Sequence, residues 1–89
     1  MEDDLNTLRK QIDAVDGQLL NTLAERVRLV KTIGKLKKSK GIPPMDLKRW
    51  QQVLLSKIKK AKSLNLSEKF IEKLYNLIHE YSLEIENKI

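Results

Sequence analysis

One apolar stripe constrains this chain more than any other feature. Leu5, Leu8, Ile12, Val15, Leu19 and Leu23 follow one another at steps of three and four residues, the signature of one helical face. At the same period the stripe runs on through Arg26, Val30, Ile33 and Lys37. The pattern predicts one uninterrupted helix from about Asp4 to Lys38. Gly17 and Gly34 lie inside it. Each costs roughly 1 kcal/mol relative to alanine, which points to close packing at both places. Such a helix is roughly 50 Å long at 1.5 Å per residue. A compact domain of 89 residues has a radius of gyration of only about 12 Å. Two shorter helices of the same chain cannot cover that length. The expectation is an all-α protein with three helices per chain, one long and two shorter, closed as an intertwined homodimer with the long helices side by side.

The remaining elements follow from local signals. In "KGIPP", Gly41 suits a C-terminal turn and Pro43-Pro44 blocks continuation. Asp46 reads as the N-cap of a second helix over about Leu47 to Lys62. "LNLS" is the next break. Ser67 can cap a third helix from about Glu68 to near the C-terminus, with Leu66 stapling onto Ile71 across the cap. No strand pattern and no internal repeat is present, so residues 1–89 read as a single domain.

Composition narrows the function classes. Eighteen Lys and Arg against twelve Asp and Glu give a net charge of +6, which favours anionic partners. Much of the surplus lies in "KLKKSK" and "KIKKAK", which read first as a solvated lysine face. Nucleic-acid binding is disfavoured: one Trp, two Tyr and one Phe offer little base stacking, and no zinc-finger or RNP-type motif occurs. The chain has no cysteine, so a thiolate metal site is excluded, and no metal site is expected. No apolar run approaches the ~18 residues of a membrane span, and "MEDDLNTLRK" does not resemble a signal peptide. The expectation is a cytoplasmic protein with no membrane partner.

The stripe contains an anomaly. Arg26 and Lys37 point where the core should be, and an unpaired charge in a dry core is costly. Lysine near a helix end commonly extends its ammonium to water. Arg26, in mid-helix and on the stripe, is harder to explain in that way. The third helix repeats the oddity: Ser82 falls on the face formed by Ile71, Leu74, Ile78 and Ile85, and Glu86 flanks it. Arg49 lies in the first turn of the second helix beside Asp46, and Arg9 lies at the edge of the first stripe. Together these residues describe a net-positive pocket inside a helical bundle. A small dianion would suit it, since arginine can donate two parallel hydrogen bonds to a carboxylate.

The segments "LRKQIDAVDGQLLNTLAERVRLVKTIGKLK", "PPMDLKRW" and "LIHEYSLEIE" resemble the all-helical chorismate mutases, the AroQ class, over essentially the whole chain. The resemblance implies an isomerase that converts chorismate to prephenate by an intramolecular Claisen rearrangement. The reaction belongs to the shikimate pathway, on the route to phenylalanine and tyrosine, and needs no cofactor. Catalysis then rests on holding the compact conformer and stabilising charge on the ether oxygen. Carried over residue by residue, Arg9 reaches into the other subunit's site to bind a carboxylate. Arg26 binds a carboxylate in its own site, and Lys37 donates to the ether oxygen near a carboxylate. Asp46 orients the ring hydroxyl, and Arg49 and Ser82 complete the carboxylate end. Lys37, Glu86 and Arg26 are the expected catalytic groups. Ile33 and Leu83 are expected as apolar walls.

Two positions depart from the family pattern. Glutamine is common where this chain has Glu86. A glutamate can donate to the ether oxygen only when it carries a proton. Many relatives have a glutamate for the substrate hydroxyl where this chain has Trp50, whose indole only donates. Trp50 reads as a core or dimer anchor, and His79 as pocket wall or surface. Three other readings compete. An isochorismate-pyruvate lyase would use a related helical dimer. A non-catalytic regulatory module would act by binding a pathway-enzyme partner, and would not need inward-facing cations. A basic nucleic-acid-binding dimer leaves Arg26 and Ser82 without a role.

Overall fold

A computed structural model describes residues 2–89; the first residue of the expected 1–89 domain lies outside the described residues. Three helices occur in chain order: α1 (Glu2–Ser39), α2 (Leu47–Ser63) and α3 (Glu68–Asn87). Among the described residues there is no strand. The all-α expectation and the order of one long and two shorter helices hold.

The helix ends form where the sequence signals place them. Asp46 Oδ1 accepts the backbone N–H of Arg49 at 3.0 Å, and Ser67 Oγ accepts that of Phe70 at 3.2 Å. Each cap satisfies a donor that the first turn leaves unpaired. α1 ends in a Schellman turn. Gly41 has φ +67°, Ile42 N donates to Lys37 O and Gly41 N to Lys38 O. α2 ends in the same way with Asn65 at φ +58°. Leu66 N donates to Ala61 O and Asn65 N to Lys62 O. Asparagine is one of the few residues other than glycine that accept this conformation readily.

α3 is the helix on which both others pack. α2 meets it through Ala61, which is buried, and a half-buried row of Val53, Leu54, Lys57 and Ile58. On α3, Ile71 and Ser82 are buried, with Leu74, Ile78 and Ile85 half-buried between and beyond them. Only the C-terminal third of α1 takes part: Val30 and Gly34 are buried, and Arg26, Val27 and Lys37 are half-buried. At Gly34 the two backbones come close. A Cβ there would lie 3.2 Å from Glu86 Cγ and 3.4 Å from Glu86 Cα. Gly34 therefore marks close packing, as its position in the pattern predicts. Gly17 does not, because nothing lies within 4 Å of its would-be Cβ.

The N-terminal part of α1 extends beyond this core. The molecule measures 59 × 25 × 15 Å, with a radius of gyration of 16.8 Å. Along the stripe from Leu5 to Leu23, side chains remain between 37% (Leu23) and 60% (Ile12) exposed. Such a row of large apolar residues on one helical face is the mark of an interaction surface.

Candidate active site

The C-terminal third of α1, the turn before α2, the first turns of α2 and the second half of α3 enclose a cleft of about 240 Å³. Arg26 and Lys37 line it from α1, Asp46 and Arg49 from the start of α2, and Ser82 and Glu86 from α3. These six expected residues, 60 positions apart at the extremes of the chain, share one space because α3 carries both other helices. Arg9 does not line the cleft. It is exposed on the protruding part of α1, about 25 Å along the helix axis from Arg26.

Arg26 and Lys37 are both tied down, each in its own way. Arg26 Nη1 donates to Ser82 Oγ at 2.7 Å, while the Ser82 hydroxyl donates to Ile78 O at 2.8 Å. Ser82 thus offers a lone pair to the guanidinium because its own proton is spent on the preceding helical turn. One N–H of Arg26 is used and the fork keeps further donors for an anion. Lys37 does not run out to water. Its Nζ donates to Pro44 O at 2.8 Å and lies 2.9 Å from Glu86 Oε1. The chain folds back after the turn at Gly41 so that the Pro44 carbonyl meets Lys37.

The Lys37–Glu86 contact is partly buried, with the side chains 22% and 9% exposed. Glu86 Oε1 meets the ammonium off the hydrogen-bonding direction, and among the described residues it has no aligned donor. The contact is therefore Coulombic, without the directional bond that Lys37 makes to Pro44. Buried oxygens are normally hydrogen-bonded, so this atom has capacity for a further partner.

The apolar part of the cleft comes from Val30, Ile33, Pro44 and Val53. Ile33 stands where expected; Leu83 is not among the lining residues. Trp50 and His79 were the residues least legible in the sequence. They form a stacked pair, with ring centroids 3.9 Å apart and planes within 6°, and both line the cleft. Trp50 is thus a wall of the cleft. Burial pushes the His79 imidazole below its usual 6.5; Glu86 pulls it up, while Arg26 and Lys37 push it further down. The ring is neutral at pH 7. Its Nε2 is buried and has no partner among the described residues. His79 lines the cleft as the pocket-wall expectation has it, since His79, Ser82 and Glu86 follow at i, i+3 and i+7.

No nucleophile–base pair forms here; the arrangement instead concentrates cations, a hydroxyl and a carboxyl around a half-open apolar slot. It can bind a small anion with more than one carboxylate and hold it against Lys37 and Glu86. No helix among the described residues is long and apolar enough to cross a membrane.

Comparison with known proteins gives a consistent picture. Residues 8–87 match the family described as chorismate mutase type II. The chain is 36% identical over 84 residues to the T-protein of Enterobacter agglomerans, covering 94% of this chain and 22% of that protein. It is 29% identical over 89 residues to a chorismate mutase of Methanocaldococcus jannaschii, covering 99% and 89%. It is 31% identical over 88 residues to the 4-amino-4-deoxychorismate mutase of Streptomyces venezuelae, covering 99% and 85%. The chain thus spans less than a quarter of the T-protein's length and most of the other two relatives.

Proposed function

Because this chain belongs to the type II chorismate mutase family, we propose that it converts chorismate to prephenate and does so as a homodimer of single-domain chains. The observation that carries the reading is the convergence of Arg26, Lys37 and Arg49 with Ser82 and Glu86 on one cleft. In the rearrangement the ether C–O bond breaks as a C–C bond forms within the same molecule. No group is transferred to the protein. What the protein supplies is a fixed conformer and a field.

Arg26, oriented by Ser82, holds one carboxylate, and Arg49 helps hold the carboxylate end. Holding both ends of a flexible substrate in the reactive shape removes much of the entropic barrier. Lys37 sits where its ammonium can face the ether oxygen. Positive charge already in place there stabilises the transition state more than the ground state. Glu86, beside Lys37, donates to the same oxygen when it carries a proton. Asp46, whose Oδ1 also caps α2, lies at the hydroxyl end.

The exposed stripe on α1 supports the dimer. A second copy lying along it would cover Leu5 to Leu23 and bring its own Arg9 to the open side of the cleft. The site would then be shared between chains. The working compartment is the cytoplasm, and any pathway-enzyme partner would be secondary to catalysis.

The test is loss of chorismate, followed by absorbance, with the wild type and Arg26→Ala side by side. Prephenate from the wild type alone is the expected result. No turnover by a folded wild type would overturn the reading; isochorismate and 4-amino-4-deoxychorismate, offered in the same assay, would then show whether a related substrate is used. Ile12→Asp, on the stripe and far from the cleft, should sediment as a monomer and lose activity. An active monomer would overturn the shared site.

A further inference from the structure

We propose that His79 is a substrate-binding residue of this site, and that its imidazole accepts a hydrogen bond from the ring hydroxyl of the substrate. The inference rests on the mutase reading above and goes beyond it in assigning the hydroxyl end of the cleft to a residue that the family pattern does not mark.

Three observations lead there. Trp50 lines the cleft together with Asp46 and His79, and its indole offers no acceptor. His79 lies flat against Trp50, with centroids 3.9 Å apart and planes 6° from parallel. The stack fixes the plane of the imidazole and joins α2 to α3 at the cleft. Lastly, His79 Nε2 is a buried nitrogen with no partner among the described residues, although it belongs to a side chain that lines the cleft. Leaving a buried polar atom unsatisfied is unfavourable, and a hydroxyl in the cleft supplies a donor once the ring presents a nitrogen on that side. A half-turn about Cβ–Cγ keeps the ring in its plane, so either edge can be presented without breaking the stack.

The charge around the ring suits an acceptor. Arg26 and Lys37 face it from α1, Glu86 from its own helix, and Asp46 and Arg49 line the same cleft from the start of α2. Burial lowers the imidazole's pKa from its usual 6.5 and so favours the neutral ring, which keeps one nitrogen lone pair free. Asp46 remains beside it as a second acceptor.

The experiment compares chorismate with its 4-deoxy analogue, which lacks only the ring hydroxyl, on the wild type, His79→Leu and His79→Gln. For the wild type, loss of the hydroxyl should lower kcat/KM about tenfold, mainly through KM. In His79→Leu that penalty should shrink severalfold, because the imidazole acceptor is gone and only Asp46 is left to accept from the hydroxyl. In His79→Gln it should return, because the amide oxygen accepts. The penalty should also shrink in the wild type as pH falls and the imidazole takes up its proton, but not in His79→Gln. Taking the ratio of the two substrates cancels any pH effect on the rearrangement that both share. A hydroxyl penalty equal in the wild type and His79→Leu would overturn the assignment while leaving the mutase reading intact. Absence of wild-type turnover would overturn both. Far-ultraviolet circular dichroism establishes that each variant is folded, and if His79→Leu is not, the pH dependence of the penalty in the wild type against His79→Gln decides alone.

Discussion

Arg26 Nη1 lies 2.7 Å from Ser82 Oγ, a bond between α1 and α3 that joins residues 56 positions apart in the chain. It holds the guanidinium at the cleft wall and leaves the rest of its fork for a ligand. Arg26→Ala should lower kcat/KM about a hundredfold or more, in line with removal of a preorganised charged donor. Arg26→Lys should not restore it, since an ammonium cannot make the forked contact. Ser82→Ala, which removes the orienting contact but not the charge, should raise KM about three- to tenfold. Steady-state kinetics on chorismate distinguishes the three variants; a fully active Arg26→Lys would contradict a bidentate role.

Glu86 and Lys37 make a second prediction. Their contact places a carboxyl group beside the ammonium that is to face the ether oxygen. An ionised carboxylate would set negative charge against that oxygen, whereas a protonated one donates to it. Activity should therefore be higher where this carboxyl carries a proton than where it is ionised. Glu86→Gln donates at every pH and should flatten the profile. Rates at saturating chorismate across the acid and neutral range test this. Identical profiles for the two proteins would remove Glu86 from the reaction.

Gly34 and Gly17 should respond to alanine in opposite directions. At Gly34 the added methyl would stand 2.7 Å from Ile89 Cδ1 and 3.2 Å from Glu86 Cγ. The Ile89 methyl can swing aside, but Glu86 is held by Lys37. Overpacking costs about 1–3 kcal/mol, against about 1 kcal/mol gained in helix propensity. Net destabilisation is expected, with a loss of activity as Glu86 shifts. Gly17 lies opposite the stripe, with nothing within 4 Å. Gly17→Ala should stabilise by about 0.5–1 kcal/mol. Denaturant midpoints read both. Stabilisation by Gly34→Ala would show that α3 can retreat freely.

His79 contributes to stability in a pH-dependent way. Its folded-state pKa is lowered, first by burial and further by Arg26 and Lys37 against the pull of Glu86. Above 6.5 both folded and unfolded chains carry a neutral ring. As pH falls through 6.5, the unfolded chain binds a proton that the folded chain resists, so stability declines. The decline from this residue ends once the folded ring is protonated too. His79→Gln should lose less stability than the wild type between about pH 8 and about pH 5, as read by urea midpoints. Parallel losses would show that the imidazole is as free to titrate in the fold as out of it.

Much of this was legible in the chain itself. A three- and four-residue period from Leu5 to Lys37 reads as a helix. Asp46, Gly41 and Ser67 mark helix ends through backbone chemistry that acts within a few residues. The polar residues set into apolar stripes were visible for the same reason: in a regular helix, direction follows from position. Arg26, Lys37, Ser82 and Glu86 could therefore be singled out without coordinates, and so could the apolar stripe from Leu5 to Leu23.

The pairings were not legible. That Arg26 meets Ser82, that Lys37 divides its ammonium between Pro44 and Glu86, and that Gly34 rather than Gly17 marks a close approach all depend on how α1 and α2 settle on α3. Trp50 and His79 show the limit most clearly. Each has an ordinary place on its own helix, and the stack exists only because α2 and α3 cross at that level. Helical period sets the direction of a side chain about one axis. Which neighbour it finds depends on the register and distance between axes, and these come from packing of whole faces that no short stretch of sequence contains.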